Sequence, residues 1–429
     1  MVGKLYTQIR DNETVKALGP GLITGAADDD PSGIATYSQA GAQFGFNMLW
    51  TLVLTYPIMV GIQLVSARIG RVTGKGLAAN IRRAYPPALL YAIVLLLLVA
   101  NIINIAADIA AMGEAMWLVV GRGSPHFYSL GFGFLCLSLQ IFLPYRRYVH
   151  YLKWLTLGLL AYVATVFTIN VPWGEVLVRT FAPHFIWNND SVTLIVAVFG
   201  TTISPYLFFW QASHEVEEIR ADHSAQALKK APDDAAMHLK RIKIDTFIGM
   251  GFSNLVAFFI ILTTASTLAL HGVTNIQTSA QAAEALRPLA GDFAFVLFAL
   301  GIVGTGMLAV PVLAGSSAYA VTESFRWPNG LDLKALQARE FYAIISLATI
   351  GGMLLNFTPI DPIKALFWSA VINGVVAVPV LVLMMLMANS ARIMGKKFTI
   401  PRILRLLGWT TTAVMLAATI AMFATWHSG

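Results

Sequence analysis

Apolar runs of about 20 residues recur along the whole chain, parted by short polar segments, and each is long enough to cross a bilayer as a helix. Eleven spans are predicted, at 18–42, 46–68, 88–118, 126–144, 151–171, 192–216, 244–271, 292–322, 340–357, 363–390 and 403–426. The expected fold class is an all-α polytopic membrane protein. Two of the runs are interrupted. In the first, Gly25-Ala26-Ala27-Asp28-Asp29-Asp30-Pro31-Ser32-Gly33 sets three carboxylates in mid-span, each costing roughly 2.5–3.5 kcal/mol on insertion scales. Pro31 has no N–H and Gly33 adopts conformations that other residues avoid, so the helix is expected to break here. Broken backbone at membrane depth persists only where it lines a cavity or is buried in protein. In the sixth run, Gly200-Thr201-Thr202-Ile203-Ser204-Pro205-Tyr206 places a proline behind small hydroxyl residues.

The two breaks open two successive five-span units, 18–171 and 192–390. An odd number of spans per unit inverts the second unit relative to the first. Paired broken helices at matching positions of inverted repeats point to a transport site near the bilayer midplane. Segment 1–17, an outer loop at 172–191, a cytoplasmic loop at 217–243 and a peripheral eleventh span at 403–426 complete the expected organisation.

Composition sharpens this picture. Only 12% of the 429 residues are charged, half the share of a soluble domain, about 25%, and no stretch is long enough for a soluble domain. With the N-terminus in the cytoplasm, all but four of the 29 Lys and Arg fall inside, the exceptions being Arg122, Arg179, Arg287 and Lys364. A cell-membrane protein with its N-terminus inside and its C-terminus outside is expected. The net charge of +7 is then a topology signal, and no nucleic-acid partner is expected. Tyr145-Arg146-Arg147-Tyr148 reads as an interfacial anchor. The N-terminus lacks the pattern of a secretory signal. The lone Cys136 cannot form an internal disulfide and reads as a buried structural thiol.

The third span carries Asn101, Asn104 and Asp108 on one helix face. Such a stripe either bonds helices together or lines a water path, and both readings stand for the asparagines. Asp108 argues for a polar interior, because a buried carboxylate needs a partner. In the tenth span, Asn373 is a lone amide, either a helix-to-helix bond or a cavity residue. Past the second break, His214 and its neighbouring carboxylates read as a solvated helix end. Spans seven to nine read as mostly structural.

Unwinding a helix frees carbonyl oxygens, and the C-terminal end of each first half-helix carries the negative end of its dipole. The candidate donors are the Asp30 carboxylate, the carbonyls of Ala27 and Thr201, and the hydroxyls of Thr202, Ser32 and Ser204. Small Gly33 and Ser204 leave room for a partly hydrated ion. Successive helical residues point about 100° apart, so Asp28, Asp29 and Asp30 cannot all face one ion. Asp30 is the direct candidate; Asp28 and Asp29 contact bound water, pair with polar neighbours or supply a negative field. Hard oxygen donors suit magnesium, calcium or manganese, and magnesium keeps several of its waters.

These residues resemble the NRAMP divalent-metal transporters over essentially the whole chain. The landmarks are Gly19-Pro20-Gly21, Asp30-Pro31, Gly41-Ala42, Leu49-Trp50, Ala67-Arg68, Thr73-Gly74, Asp108 and Pro205. The resemblance implies a LeuT-like inverted repeat of five plus five helices with an eleventh added, and a site at spans 1 and 6. Several positions depart from the family pattern. Asp-Pro-Gly-Asn is here Asp30-Pro31-Ser32-Gly33, and Met-Pro-His is Ser204-Pro205-Tyr206. Asn101 stands for a glutamate used in proton movement, Ala111 for a carboxylate, and Ala370 for a glutamine. The pattern resembles the NRAMP-related magnesium transporters, which take up magnesium without proton coupling. It implies a metal set of Asp30, Ala27, Gly33, Thr201, Thr202, Ser204 and Asn373, with Asp28, Asp29, Ser32 and Tyr206 as secondary candidates. It also implies an altered proton path at Asn101, Asp108 and Ala111.

The expected function is import of hydrated divalent ions, magnesium and manganese, by alternating access without proton coupling. The alternative is a proton-coupled manganese or iron importer of the main NRAMP line. A carrier for amino acids is disfavoured because three aspartates would repel a carboxylate. No span shows a paired His-Glu metal motif or a nucleophile–base arrangement, so no enzyme is expected. Beyond the metal substrate and the lipid bilayer, no cofactor and no obligate protein partner are expected.

Overall fold

Proline opens several of the helices in this all-helical chain, at Pro31, Pro87, Pro125, Pro205 and Pro362. The computed structural model describes residues 24–25, 27–143, 155–184, 187–222, 225–359 and 361–426. The N-terminal segment 1–17, the landmark Gly19-Pro20-Gly21 and the anchor Tyr145 to Tyr148 lie outside the described residues.

A helical turn at 24–28 is followed by α1 (Pro31–Phe44), α2 (Leu49–Thr73), α3 (Leu77–Ala84), α4 (Pro87–Val120) and α5 (Pro125–Phe142). Then come α6 (Leu160–Val166), α7 (Trp173–Phe181), α8 (Asn189–Thr202), α9 (Pro205–Ala221) and α10 (Ala235–Thr267). The chain closes with α11 (Ala294–Phe325), α12 (Arg339–Leu355), α13 (Pro362–Asn389) and α14 (Arg402–Trp426). Seven stretches of the described residues are long and apolar enough to cross a membrane. One of them, Pro31–Thr73, contains both α1 and α2, and another, Asn189–Ala221, contains the broken pair α8 and α9. The protein is a multi-pass membrane protein.

The packing shows the inverted repeat. The half-helix α1 packs along α10, and its counterpart α9 packs along α2; α4 and α11, matching members of the two units, lie against each other. Swapping the units exchanges the first pair for the second. The most apolar window of Asn189–Ala221 is wholly buried, so the sixth span is enclosed by protein. At the periphery, α14 packs on α2, α8 and α13.

Glycines let these helices approach closely. A Cβ on Gly200 would lie 2.0 Å from the Ala370 carbonyl oxygen and 2.5 Å from Gly374 N, so α8 and α13 touch backbone to backbone. A Cβ on Gly25 would lie 2.3 Å from the Gly249 carbonyl oxygen, which brings the 24–28 turn against α10.

Three sequence expectations change. The outer loop 172–191 contains α7, an amphipathic helix with Val176 and Thr180 turned inward at i, i+4. The connector 217–243 is shorter than expected, because α9 continues to Ala221 and α10 begins at Ala235. The described part of the fifth span is a 3₁₀ turn (Leu155–Leu159) and α6, ending at Val166.

Candidate metal site

The first break is built by its own sequence. Asp30 is extended (φ −67°, ψ 170°) and caps α1, with Pro31 as the first helical residue. Proline fits that position because its missing N–H has no intrahelical partner there. Asp30 Oδ1 accepts from Gly33 N at 2.7 Å and from Ser32 Oγ at 2.6 Å. The carboxylate that a bilayer penalises is thus the cap that starts the new helix.

The second break is capped from the other side. Ile203 and Ser204 leave helical geometry and Pro205 starts α9. Ser204 Oγ reaches back to the carbonyls of Gly200 at 2.8 Å and Thr201 at 2.9 Å. One break satisfies the start of its second half-helix, the other the end of its first.

The two breaks meet at Asp30. Its Oδ2 accepts from Asn104 Nδ2 of α4 at 3.0 Å and lies 3.5 Å from Tyr206 OH of α9. Tyr206 OH also donates to the Ala27 carbonyl at 3.1 Å. Asn104 Nδ2 lies 3.3 Å from Asp108 Oδ2, and Asn373 Nδ2 of α13 lies 3.4 Å from Asn104 Oδ1. Ala27, Asp30, Asn104, Asp108, Tyr206 and Asn373 therefore form one buried network from four elements and the 24–28 turn. A Cβ on Gly33 would stand 3.0 Å from Thr201 Oγ1, which places the two breaks side by side there as well.

The remaining predicted residues sit differently. Thr202 Oγ1 donates into its own helix, to Val198 O at 2.8 Å. Asp28 and Asp29 face α10, where Ser253 Oγ lies 2.6 Å from Asp28 Oδ2 and 3.0 Å from Asp29 Oδ1. Asn101 leaves the network and bonds to α11, through Leu313 O at 3.0 Å and the Ser316 and Ser317 hydroxyls at 2.9 Å. Ala111 is buried. Of the two readings of the polar stripe, Asn101 joins helices and Asn104 faces the break.

Two expectations are corrected. Ser253 makes the seventh span part of the site's surroundings, where a mostly structural span was expected. The signal was Gly249-x-x-x-Ser253, a small face at i, i+4. The stretch around His214 is buried rather than solvated, with Glu215 and Glu217 enclosed. Glu215 pairs with Arg241 at 2.7 Å. Glu217 accepts from Leu331 N at 2.6 Å and from Tyr319 OH. Neighbouring Glu323 accepts from Ala79 N at 3.0 Å and Ser213 Oγ at 3.1 Å. At the opposite end of the bundle a cavity of about 560 Å³ opens, lined by Gln39, Gln43, Asp190, Thr193, Asn275 and Lys364 among others.

The family profile of natural resistance-associated macrophage protein-like (Nramp) proteins matches residues 21–425. The chain belongs to the Nramp family. The divalent metal cation transporter MntH of Caldanaerobacter subterraneus is similar to this Nramp chain, 26% identical over 413 residues, covering 94% of this chain and 91% of the relative. MntH of Pectobacterium carotovorum is 27% identical over 392 residues, covering 88% and 87%. Among solved structures, the Eremococcus coleocola manganese transporter, in complex with an aromatic bis-isothiourea substituted compound, superposes with a TM-score of 0.70 at 16% identity, covering 95% of this chain and 86% of that one. The nucleobase-cation-symport-1 transporter Mhp1 in a closed conformation gives 0.55 at 14% identity, covering 96% and 93%. Both likenesses concern the fold, a LeuT-like inverted repeat. Gly33 of this Nramp chain stands where the resemblance places an asparagine, and a side chain there would press on Thr201.

Proposed function

We propose that this Nramp chain imports hydrated divalent metal ions, magnesium and manganese, across the cell membrane by alternating access and without proton coupling. The carrying observation is Asp30 Oδ2. Its two contacts are the longest that the carboxylate makes, at 3.0 and 3.5 Å, while Oδ1 is committed to the α1 cap. A cation that displaces Tyr206 or Asn104 from Oδ2 finds the Ala27 carbonyl and the Asn104 and Asn373 amides beside it. These are hard donors, which suit magnesium and manganese and give no thioether to soft metals. Few protein ligands suit magnesium, which is held through one or two carboxylates and keeps several waters. The names of the MntH relatives support a divalent cation as the substrate class.

The site supports an uncoupled route. Asn101 is bonded into α11, and neither it nor Ala111 carries a proton at ambient pH. The membrane potential alone supplies about 2.3 kcal/mol per charge per 100 mV, doubled for a dication. One observation favours the alternative, a proton-coupled manganese or iron importer: Asp108 is a buried carboxylate joined to Asp30 through Asn104.

Ion-competition uptake in reconstituted vesicles tests both. Magnesium and manganese are expected to compete with each other and to outcompete iron, and Asp30→Ala to abolish uptake in folded protein. A lumenal pH dye is expected to stay flat while magnesium enters. Acidification in step with the metal would favour the alternative.

A further inference from the structure

We infer that a groove between α2, α10 and α14, remote from the metal site, is a binding site for an anionic phospholipid. The groove has a volume of about 500 Å³ and is lined by Tyr56, Pro57, Val60, Leu64, Phe247 and Leu407 along its apolar length. Arg68, Lys240 and Lys243 also line it. In sequence all three lie toward the basic end of their helices, where α2 ends and α10 and α14 begin. No acidic residue lines the groove.

The charges are available to a ligand. The ion pairs among the described residues are Arg179–Glu175, Arg241–Glu215 and Arg287–Glu284, and none involves these three cations. Arg68 Nε donates to Phe398 O at 3.3 Å, which anchors the guanidinium at the groove. Lys240 and Lys243 are exposed and, at i and i+3, share one face of α10. Pro401, Ile403 and Leu404 at the start of α14 line the groove too, so the positive end of a helix dipole adds to the field. At the far end, Tyr56 OH donates to Phe247 O at 3.2 Å and closes α2 onto α10.

An apolar trough between membrane helices holds an acyl chain of the surrounding bilayer in any case. Three cations without an acidic partner, Lys243 with its Nζ 5.8 Å from the Phe247 ring centre, stand over one end and select a phosphate-bearing headgroup with net negative charge over a zwitterionic one. Basic pockets between membrane helices recognise anionic headgroups in this way.

Native mass spectrometry of the full chain, purified in detergent and titrated with phosphatidylglycerol or phosphatidylcholine, tests this. Phosphatidylglycerol is expected to be retained at least about tenfold more than phosphatidylcholine. The triple variant Arg68→Gln, Lys240→Gln, Lys243→Gln is expected to lose that preference. Leu404→Trp, which fills the trough and leaves the charges in place, is expected to lower retention of both lipids. A second triple variant, Arg83→Gln, Lys334→Gln, Arg339→Gln, removes the same charge elsewhere and is expected to retain the preference. Equal retention of the two lipids by the unmodified chain, or equal loss in both triple variants, would overturn the assignment. Unchanged preference in the first triple variant would do the same.

Discussion

A carboxylate has about four lone-pair positions; Asp30 gives three to Gly33 N, Ser32 Oγ and Asn104 Nδ2, and Tyr206 OH stands 3.5 Å from the fourth. Two of those contacts build a helix and two hold a junction, so Asp30 has a structural task beside the ion-binding one proposed for it. Asn104 and Asn101 separate these tasks experimentally. Asn104→Ala removes the amide between Asp30 and Asp108. It is expected to raise the KM for magnesium uptake about tenfold, the equivalent of about 1.4 kcal/mol, with kcat little changed. Asn101→Ala removes bonds to α11 and takes the amide donor from the buried Ser316 and Ser317 hydroxyls, while the Leu313 carbonyl keeps both serine donors, a loss of about 1–3 kcal/mol. It is expected to lower the melting temperature in detergent and leave the KM unchanged. Uptake kinetics and melting curves on the two variants read both effects. The residue pattern marked the aspartates and the polar stripe. It did not divide the stripe, because two amides on one helix face look alike until their neighbours are known.

At the scale of elements, proline sets where each half-helix begins and glycine sets how closely helices approach. Gly200 illustrates the second effect. Its Cβ would meet backbone atoms of Ala370 and Gly374, which no rotamer change can move aside. Gly200→Ala is expected to destabilise the folded chain by about 1–3 kcal/mol through overpacking. Gly131, in α5, has nothing within 4 Å of its would-be Cβ. Gly131→Ala is expected to be neutral or to stabilise by about 0.5–1 kcal/mol, since glycine weakens a helix interior. Thermal unfolding in detergent compares the two. Both breaks were legible from Asp30-Pro31 and Ser204-Pro205, since proline acts locally. The opposite ways in which they are capped were not, because an aspartate and a serine both offer oxygen and only backbone geometry decides which end each serves.

Among the described residues the two ends of the bundle differ: the larger cavity opens at one, and a smaller one, lined by Glu217 and Arg220, lies at the other. Ala35, which lines the 560 Å³ cavity, is five residues beyond Asp30, roughly 7.5 Å along the helix. At the other end the Glu215, Glu217 and Glu323 contacts tie distant segments together. Cysteine labelling reads this asymmetry, because Cys136 is 0% exposed and gives a silent background. Gln39→Cys is expected to react with a membrane-impermeant maleimide added outside intact cells. Ser213→Cys, buried against Glu323, is expected to stay unlabelled from either side. Labelling of Gln39→Cys only from the inner side would contradict the proposed orientation. The charge asymmetry of the loops is what predicts that orientation from the chain. The stretch around His214 was misread as solvated, since Glu215 and Glu217 look like surface residues until Arg241, Tyr319 and Leu331 arrive from distant segments.

Local chemistry settled what local chemistry controls: where apolar runs end, where proline interrupts them, and that two odd-numbered units must be inverted. Those features follow from hydrogen-bonding needs within a few residues of each position. Which oxygen atoms converge, and which carboxylates are taken up by Ser253, Arg241 or Tyr319, depended on contacts between residues up to 269 positions apart. Only the folded chain brings those partners together, and a buried polar group is defined by the partner that satisfies it.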